Sequence, residues 1–232
     1  MRIGAIVQAR MTSSRLPGKV LQSMHGRPML QYLLDRLARA QGVSDIIVAT
    51  SIDRSDDPIE RFCGTAGVAC VRGALLDVAA RFHGVLETWP LDAFVRISGD
   101  SPLLDQRIVD AAIRLYAPAS VDLVTNKVPK TYPSGQSVEV VKSDMFRAAY
   151  VRMVTPSDRE HVTPFFYRHQ EEFRINSLVS TPHFGMLHMA VDNAADFQRV
   201  SAMLAAMDRP HWDYDLANLV ELSAAIGANE TA

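Results

Sequence analysis

This sequence of 232 residues has few cysteines, no large excess of either positive or negative charge, and no long hydrophobic run. Its two cysteines, Cys63 and Cys70, are too few for a disulfide framework and are not spaced like a metal knuckle. The 24 basic and 26 acidic side chains give a net charge of −2, which argues against binding to nucleic-acid backbones. No apolar run approaches the roughly 20 residues of a membrane span, and the N-terminus lacks the features of a signal peptide. We therefore expect a cytoplasmic protein that binds neither nucleic acid nor membrane.

The common nucleotide and hydrolase motifs are absent as well. A Walker A loop would need a glycine at position 13 and a hydroxyl residue after Lys19, but Ser13 and Val20 stand there. The fingerprint G-x-G-x-x-G does not follow the first apolar run, and neither G-x-S-x-G nor H-E-x-x-H occurs. Phosphate binding by this chain would therefore require another kind of loop.

Short apolar runs alternate with helical patterns along most of the chain. Strands are predicted at residues 3–7, 45–50, 68–71, 93–97, 121–125, 138–141, 174–179 and 187–191. Helices are predicted at residues 29–40, 58–66, 75–86, 105–116, 144–152, 158–169, 194–207 and 214–225. This alternation predicts one Rossmann-like α/β domain over residues 1–232, with a mostly parallel sheet and helices on both faces. Two prolines and a glycine within residues 126–135 predict an irregular excursion there.

The loop after the first predicted strand carries three cations, Arg10, Arg15 and Lys19, with small hydroxyl residues between them. Ligands of open parallel sheets bind beyond the C-terminal ends of the strands, which is where this loop begins. Guanidinium groups and backbone N–H groups in such a loop can bind a polyphosphate. The alternative is a solvated basic loop.

Residues 8–21 closely resemble the signature of the cytidylyltransferase family. That family includes CMP-Kdo synthetase, CMP-acylneuraminate synthetase and the spore-coat polysaccharide biosynthesis protein F group. The last group is the most similar, with Q-A-R-M-x-S-x-R-L-P-G-K in this loop. Weaker matches follow in the family's order at residues 72–73, 95–103, 132–135, 138–140, 159–164 and 191–192. The resemblance covers most of the chain and implies a fold of the nucleotide-diphospho-sugar transferase type.

The resemblance also implies an activity, the transfer of CMP from CTP to a sugar with release of pyrophosphate. The implied acceptor is an acidic sugar for surface polysaccharide synthesis. The implied catalytic residues are Arg10, Arg15, Lys19 and Asp100, and the three cations suit a triphosphate because they stabilise the developing charge. The implied nucleotide contacts are Gln8, Ala9, Arg10, Ser13, Arg15, Lys19, Arg72, Ser98 and Gly99.

Three further expectations come from the same resemblance. Acceptor-sugar contacts carry over to Tyr132, Gly135, Glu139, Arg159 and His161. Asp100 and Asp192 carry over as ligands of Mg²⁺, which prefers hard oxygen ligands. Both aspartates follow predicted strands, whose ends would bring the two carboxylates together. Residues around 126–170 form the sugar side and pack on a second copy, so a homodimer is expected.

Several of these residues also have simpler explanations. Asp100 precedes Ser101-Pro102 and can organise a turn. Asp192 or Asn193 can cap a helix that begins near residue 194, with Asp196 completing a capping box. Residues 159–161 also resemble the first turn of a helix. Arg72 is nearly as well explained as a plain surface arginine.

Departures from the family pattern affect the substrate more than the reaction class. Residues 74–76 are Ala-Leu-Leu where the spore-coat group has an acidic, polar stretch, and residues 133–139 lack two carboxylates of that group. Transfer from another nucleotide or to a non-sugar acceptor therefore remains an alternative. So does a nucleotide-binding protein that has lost catalysis. A glycosyltransferase would need Asp-x-Asp after the fourth strand, but Asp213-Tyr214-Asp215 lies in a late helical region.

Overall fold

The computed structural model describes residues 1–117 and 121–229. The strands of the described residues are β1 Ile3–Gln8, β2 Ser23–Met24, β3 Arg27–Pro28, β4 Asp45–Ser51, β5 Ala69–Gly73, β6 Ala93–Ser98, β7 Leu123–Thr125, β8 Glu139–Lys142 and β9 Ile175–Ser177. Their α-helices are α1 Met29–Leu37, α2 Asp57–Ala66, α3 Val78–Thr88, α4 Gln106–Tyr116, α5 Ser143–Tyr150, α6 Pro156–His161, α7 Pro164–Arg168, α8 Ala194–Ala205 and α9 Leu216–Asn229. Within the described ranges, no helix is both long and apolar enough to cross a bilayer.

Most of the strands form one sheet in the order β5-β4-β1-β6-β8-β7-β9. The neighbours from β5 to β6 run parallel, as do β7 and β9, whereas β8 runs antiparallel to both β6 and β7. The α/β fold with a mostly parallel sheet is therefore confirmed. The reversed strand β8 follows the predicted excursion, which returns the chain to the sheet from the opposite end.

Helices cover both faces of the sheet because its central strands are apolar on both sides. In β1, Ala5 and Val7 belong to one buried cluster, which also contains Leu33 of α1 and Val109 of α4. The intervening Ile6 belongs to a second buried cluster. That cluster also contains Phe82 of α3 and Phe146 of α5, whose rings lie 6.4 Å apart. Alternate side chains of one strand thus reach opposite faces, as the period of a strand requires.

Two predicted elements are wrong. The stretch 187–191 is not a strand and makes only an isolated bridge between His188 and Ser134. The helix predicted at 158–169 is divided into α6 and α7, because Val162 leaves the helical conformation and Pro164 has no N–H with which to continue the hydrogen bonds of α6. Between them, Val162 has φ +71° and ψ −53°, and the N–H of Thr163 donates to the carbonyl of His161 at 2.8 Å. This is a γ-turn, a strained conformation for a β-branched residue.

A buried arginine fastens the C-terminal segment to the body of the domain. Arg36 of α1 is fully buried and donates to the carbonyls of Leu104, His211 and Tyr214. Burial lowers the pKa of Arg36 to about 10. His211 is buried in the same place, and burial together with the Arg36 charge lowers its pKa to about 4, although Asp35 opposes the shift. The fold therefore accommodates His211 in its neutral form.

This lowered pKa makes part of the stability of the fold depend on pH. Between about pH 6.5 and 4, an unfolded chain binds a proton at His211 that the folded chain does not bind. Stability contributed by the neutral form is therefore present above pH 6.5 and is lost as the pH falls towards 4. Relative to His211→Gln, wild type should lose about 3 kcal/mol of unfolding free energy over this window, measured by urea unfolding. A constant difference between the two proteins from pH 7 to 4 would contradict the assignment.

Candidate active site

A cleft of about 300 Å³ opens at the C-terminal ends of β1 and β6. Its lining residues are Gln8, Ala9, Arg10, Ser13, Ser14, Arg15, Lys19, Val20, Val78, Arg81, Ser98, Gly99, Asp100, Glu160, His161 and Asp192. This is the sheet edge at which the sequence predicts ligand binding. The cleft is thus lined by the cationic loop, by both predicted metal ligands and by one predicted sugar contact, His161.

The cationic loop is closed at its base by hydrogen bonds that its backbone N–H groups donate. The N–H of Gly18 donates to the carbonyl of Met11 at 2.8 Å, and Met11 in turn donates its N–H to buried Asp56 at 2.6 Å. Gly18 has φ +74°, a left-handed conformation that glycine adopts without strain. A short 3-10 turn, Lys19–Leu21, then begins and directs Lys19 into the cleft. The loop is thus held at both ends while its cations face the cavity.

Each of the three loop cations is paired with an acid across the cleft. Arg10 lies 3.2 Å from Glu160, and Arg15 lies 2.9 Å from Asp192. The Nζ of Lys19 lies 3.1 Å from Asp100 and 3.6 Å from Asp192. The Lys19 side chain is only 9% exposed, so its charge is largely removed from water. Buried charges require such partners, which explains why both carboxylates converge on it.

Asp100 and Asp192 meet by a different route from the one expected. Asp100 follows β6 through Gly99, whose N–H donates to the Gln8 carbonyl at 2.8 Å. A Cβ at Gly99 would lie 2.9 Å from that carbonyl oxygen, so only glycine fits this close approach. Asp192 is not at a strand end. It is brought alongside because the N–H of Val191 donates to the carbonyl of Asp100 at 2.9 Å.

The helix α8 is capped by the neighbours of Asp192 and not by Asp192 itself. The Asn193 side chain accepts the N–H of Asp196 at 3.0 Å, and the Asp196 carboxylate accepts the N–H of Asn193 at 3.1 Å. These reciprocal bonds form the capping box of α8. The Asp192 carboxylate is therefore directed at the cleft cations instead, and lies 3.6 Å from His188.

Most of the predicted sugar contacts lie outside the cleft lining. Arg159 pairs with Asp77 at 2.9 Å and donates to the Met153 carbonyl at 2.7 Å, so its guanidinium is already bound. Glu139 is fully buried, bonded to Arg96 at 2.7 Å and to Tyr167. Burial alone would raise the pKa of Glu139, but the charges of Arg96 and Lys127 hold it below its ordinary value. These two side chains hold the local structure together.

Tyr132, Gly135 and Arg72 also have structural explanations. Tyr132 packs half-buried against the larger core cluster. Gly135 has φ +92° and lies so close to residues 189–190 that a Cβ there would be 2.5 Å from the Ala190 nitrogen. Arg72 pairs with Asp57 and Glu60 outside the cleft. Gly135 therefore helps to place the segment that carries Asp192.

Comparison with known proteins agrees with this geometry. A family model described as Cytidylyltransferase matches residues 4–217. The chain belongs to this cytidylyltransferase family. The spore coat polysaccharide biosynthesis protein SpsF of Bacillus subtilis is 28% identical over 229 residues, which cover 94% of this chain and 92% of that protein. A 3-deoxy-manno-octulosonate cytidylyltransferase of Geobacter metallireducens is 36% identical over 133 residues, 55% of this chain and 50% of that protein.

A solved structure supports the same conclusion. A cytidylyltransferase from Leptospira borgpetersenii superposes with a TM-score of 0.90 at 25% identity, covering 100% of this chain and 96% of that one. The expected fold of the nucleotide-diphospho-sugar transferase type is confirmed, and the cytidylyltransferase described here is a nucleotidyltransferase enzyme.

The structure adds two charged cleft residues that were not predicted from the sequence. Arg81 of α3 is 2% exposed and makes long hydrogen bonds of 3.5 Å to the carbonyls of Ala9 and Ala49. Within the described ranges its buried Nε has no hydrogen-bond partner, and burial lowers the pKa of the guanidinium to about 10. A signal was available, since Arg81 interrupts the apolar face of Val78, Phe82 and Val85. Glu160 lies inside a recognised motif but becomes significant only through its pairing with Arg10.

The adjacent residues Asp192 and Asn193 allow a test that separates catalysis from capping. Asp192→Asn nearly preserves shape, so it should leave the melting temperature almost unchanged while removing most pyrophosphate-releasing activity. Asn193→Ala should cost about 1 kcal/mol of stability through the lost cap and leave the folded enzyme active. Thermal unfolding and pyrophosphate release measured on both variants check this. Full activity in Asp192→Asn would show that its carboxylate has no part in the reaction.

Proposed function

We propose that this enzyme transfers CMP from CTP to a sugar hydroxyl and releases pyrophosphate. The observation that carries the proposal is the set of three loop cations, each of which forms an ion pair with an acidic side chain of the same cleft. A triphosphate can accept all three cations, since phosphate oxygens are strong acceptors for guanidinium and ammonium groups. SpsF and the octulosonate enzyme, by their names, serve polysaccharide biosynthesis and a sugar-acid cytidylyl transfer. For this enzyme we propose the corresponding acceptor, an acidic sugar used in surface polysaccharide synthesis.

At the α-phosphorus, the reaction forms one P–O bond and breaks one. The acceptor oxygen attacks the α-phosphorus of CTP, the bond to the bridging oxygen of the β-phosphate breaks, and pyrophosphate leaves with that electron pair. Arg10, Arg15 and Lys19 neutralise charge on the leaving group, and in a half-buried cleft this stabilises the transition state. The proton of the attacking hydroxyl passes to a base. We assign this role to His161, the imidazole that lines the cleft.

The donor set of the cleft fits a divalent cation. Asp100 and Asp192 are about a quarter exposed and direct oxygens at one ammonium, so two hard anionic ligands face the same point. We propose that these two carboxylates hold Mg²⁺, which when bound would polarise the α-phosphate. Arg81, buried below the loop with an unpaired Nε, is placed to bind the nucleotide as well.

We propose the cytoplasm as the location, which agrees with the free thiols of Cys63 and Cys70.

The proposed reaction is tested by pyrophosphate release from each of the four nucleotides with a panel of acceptors, including 2-keto sugar acids and phosphorylated sugars. CTP with a sugar acid should be turned over, and EDTA should stop the reaction. Arg15→Ala should lower kcat/KM by about 100-fold, because it removes a cation from the developing phosphate charge. Arg27→Ala, which removes a paired surface arginine elsewhere, is the matched control and should be fully active.

Three other results would point elsewhere. Turnover of another nucleotide or of a non-sugar acceptor would favour that substrate. CTP binding without turnover would indicate a nucleotide-binding protein. A folded Arg15→Ala variant with normal kcat/KM would show that the loop does not bind the transferred phosphates.

We also propose that the enzyme is a homodimer through the excursion after β7. Residues 126–135 and 177–188 are in contact there, since the N–H of Phe184 donates to the Thr131 carbonyl at 2.8 Å. Together they expose Val128 (52%), Val179 (46%) and Met186 (97%). Exposed apolar side chains grouped in this way are typical of interaction sites.

Light scattering should therefore give twice the chain mass of 25.6 kDa at micromolar concentration. Met186→Asp should shift the population towards the monomer, because it places a charge in the apolar surface. Ile52→Asp alters an exposed apolar residue outside the excursion and should not change the mass. A monomeric wild-type protein would rule the dimer out.

A further inference from the structure

The cation that lies between the two cleft carboxylates belongs to the protein itself. The Nζ of Lys19 lies 2.6 Å from the Val191 carbonyl, 3.1 Å from Asp100 Oδ2 and 3.6 Å from Asp192 Oδ1. An ammonium group has three N–H donors, so each of them has an oxygen to face. Arg15 adds a second cation to the same Asp192 oxygen at 2.9 Å. The carboxylate pair is therefore already neutralised in the free protein.

A divalent ion on these oxygens would compete with Lys19 for them. Magnesium binds oxygen at about 2.1 Å, so an ion shared by the two carboxylates would lie within a few ångströms of the Lys19 ammonium. Two cations that close repel strongly where water is largely excluded. Unless Lys19 and Arg15 obtain other anions, the metal gains little by binding.

The oxygens of a bound triphosphate are anions to which Lys19 and Arg15 could move, and this would free the two carboxylates. We propose that Lys19 occupies the metal position of the free enzyme and is exchanged onto the nucleotide when the metal binds. Divalent ion and nucleotide thus bind as a coupled pair; the inference rests on the function proposed above. No covalent bond changes in this exchange. Because the coupling is a binding free energy, each ligand raises the affinity for the other by the same factor.

The wild-type enzyme provides the first test, with Mn²⁺ as a paramagnetic probe counted by electron paramagnetic resonance. Without nucleotide, the free enzyme should bind Mn²⁺ only weakly, in the millimolar range or above. With the non-hydrolysable analogue α,β-methylene-CTP, it should retain a bound Mn²⁺ that Asp100→Asn loses. A tight Mn²⁺ site in the nucleotide-free enzyme that disappears in Asp100→Asn would overturn the proposal.

Removal of the internal cation provides the second test. Lys19→Gln should bind Mn²⁺ without nucleotide on the order of tenfold more tightly than wild type, because the two carboxylates lose their counter-ion. The gain should vanish in Lys19→Gln combined with Asp192→Asn. Arg10→Gln is the matched control, since it removes one charge from the same cleft but from Glu160 rather than from the aspartate pair. An equal gain in Arg10→Gln, or none in a folded Lys19→Gln, would contradict the exchange.

These measurements do not depend on turnover, so they separate the two proposals. If Lys19→Gln gains Mn²⁺ affinity while wild type fails to turn over CTP, the exchange holds and the proposed reaction is wrong. If wild type turns over CTP while the free enzyme already binds Mn²⁺ tightly through Asp100, the reaction holds and the exchange is wrong.

Discussion

The buried ammonium of Lys19 joins three parts of the chain that are far apart in sequence. It belongs to the loop after β1, Asp100 follows β6, and Asp192 precedes α8. Each of these parts also meets its neighbour through the backbone, for example where Val191 donates to the carbonyl of Asp100. A buried ammonium without any of these partners would carry an uncompensated charge, which is costly. The shape of the cleft therefore depends on this one group.

The pairing of every loop cation with an acid suits a site that binds a highly charged ligand. The cations are ordered before the ligand arrives, so less conformational freedom is lost on binding. Each partner acid also prevents like charges from forcing the loop open. The balanced cleft thus keeps a dense group of charges in place without a ligand and can transfer its cations to phosphate oxygens.

Local sequence patterns were sufficient to predict the elements whose structure depends on local interactions. The strands at 3–7, 45–50 and 93–97 agree with β1, β4 and β6 to within about one residue, because both faces of these strands are buried and their apolar runs are continuous. The cap of α8 was also readable, since the side chain of Asn193 bonds to backbone a few residues away. Residues 187–191 have an equally apolar pattern, yet they make one isolated bridge because Gly135 and Ser134 hold them beside the loop instead.

By itself, the sequence determined the α/β class, the cationic loop after the first strand and the family to which both belong. Beyond the cationic loop and the two aspartates, only the tertiary structure decided which charged side chains face the cleft. Arg159 and Glu139 are bound by Asp77 and Arg96, partners 82 and 43 residues away. Arg81 reaches the cleft floor from a helix that the sequence marks only as amphipathic. The physical reason is that ion pairs form between side chains brought together by the sheet, and their separation in sequence carries no signal of that proximity.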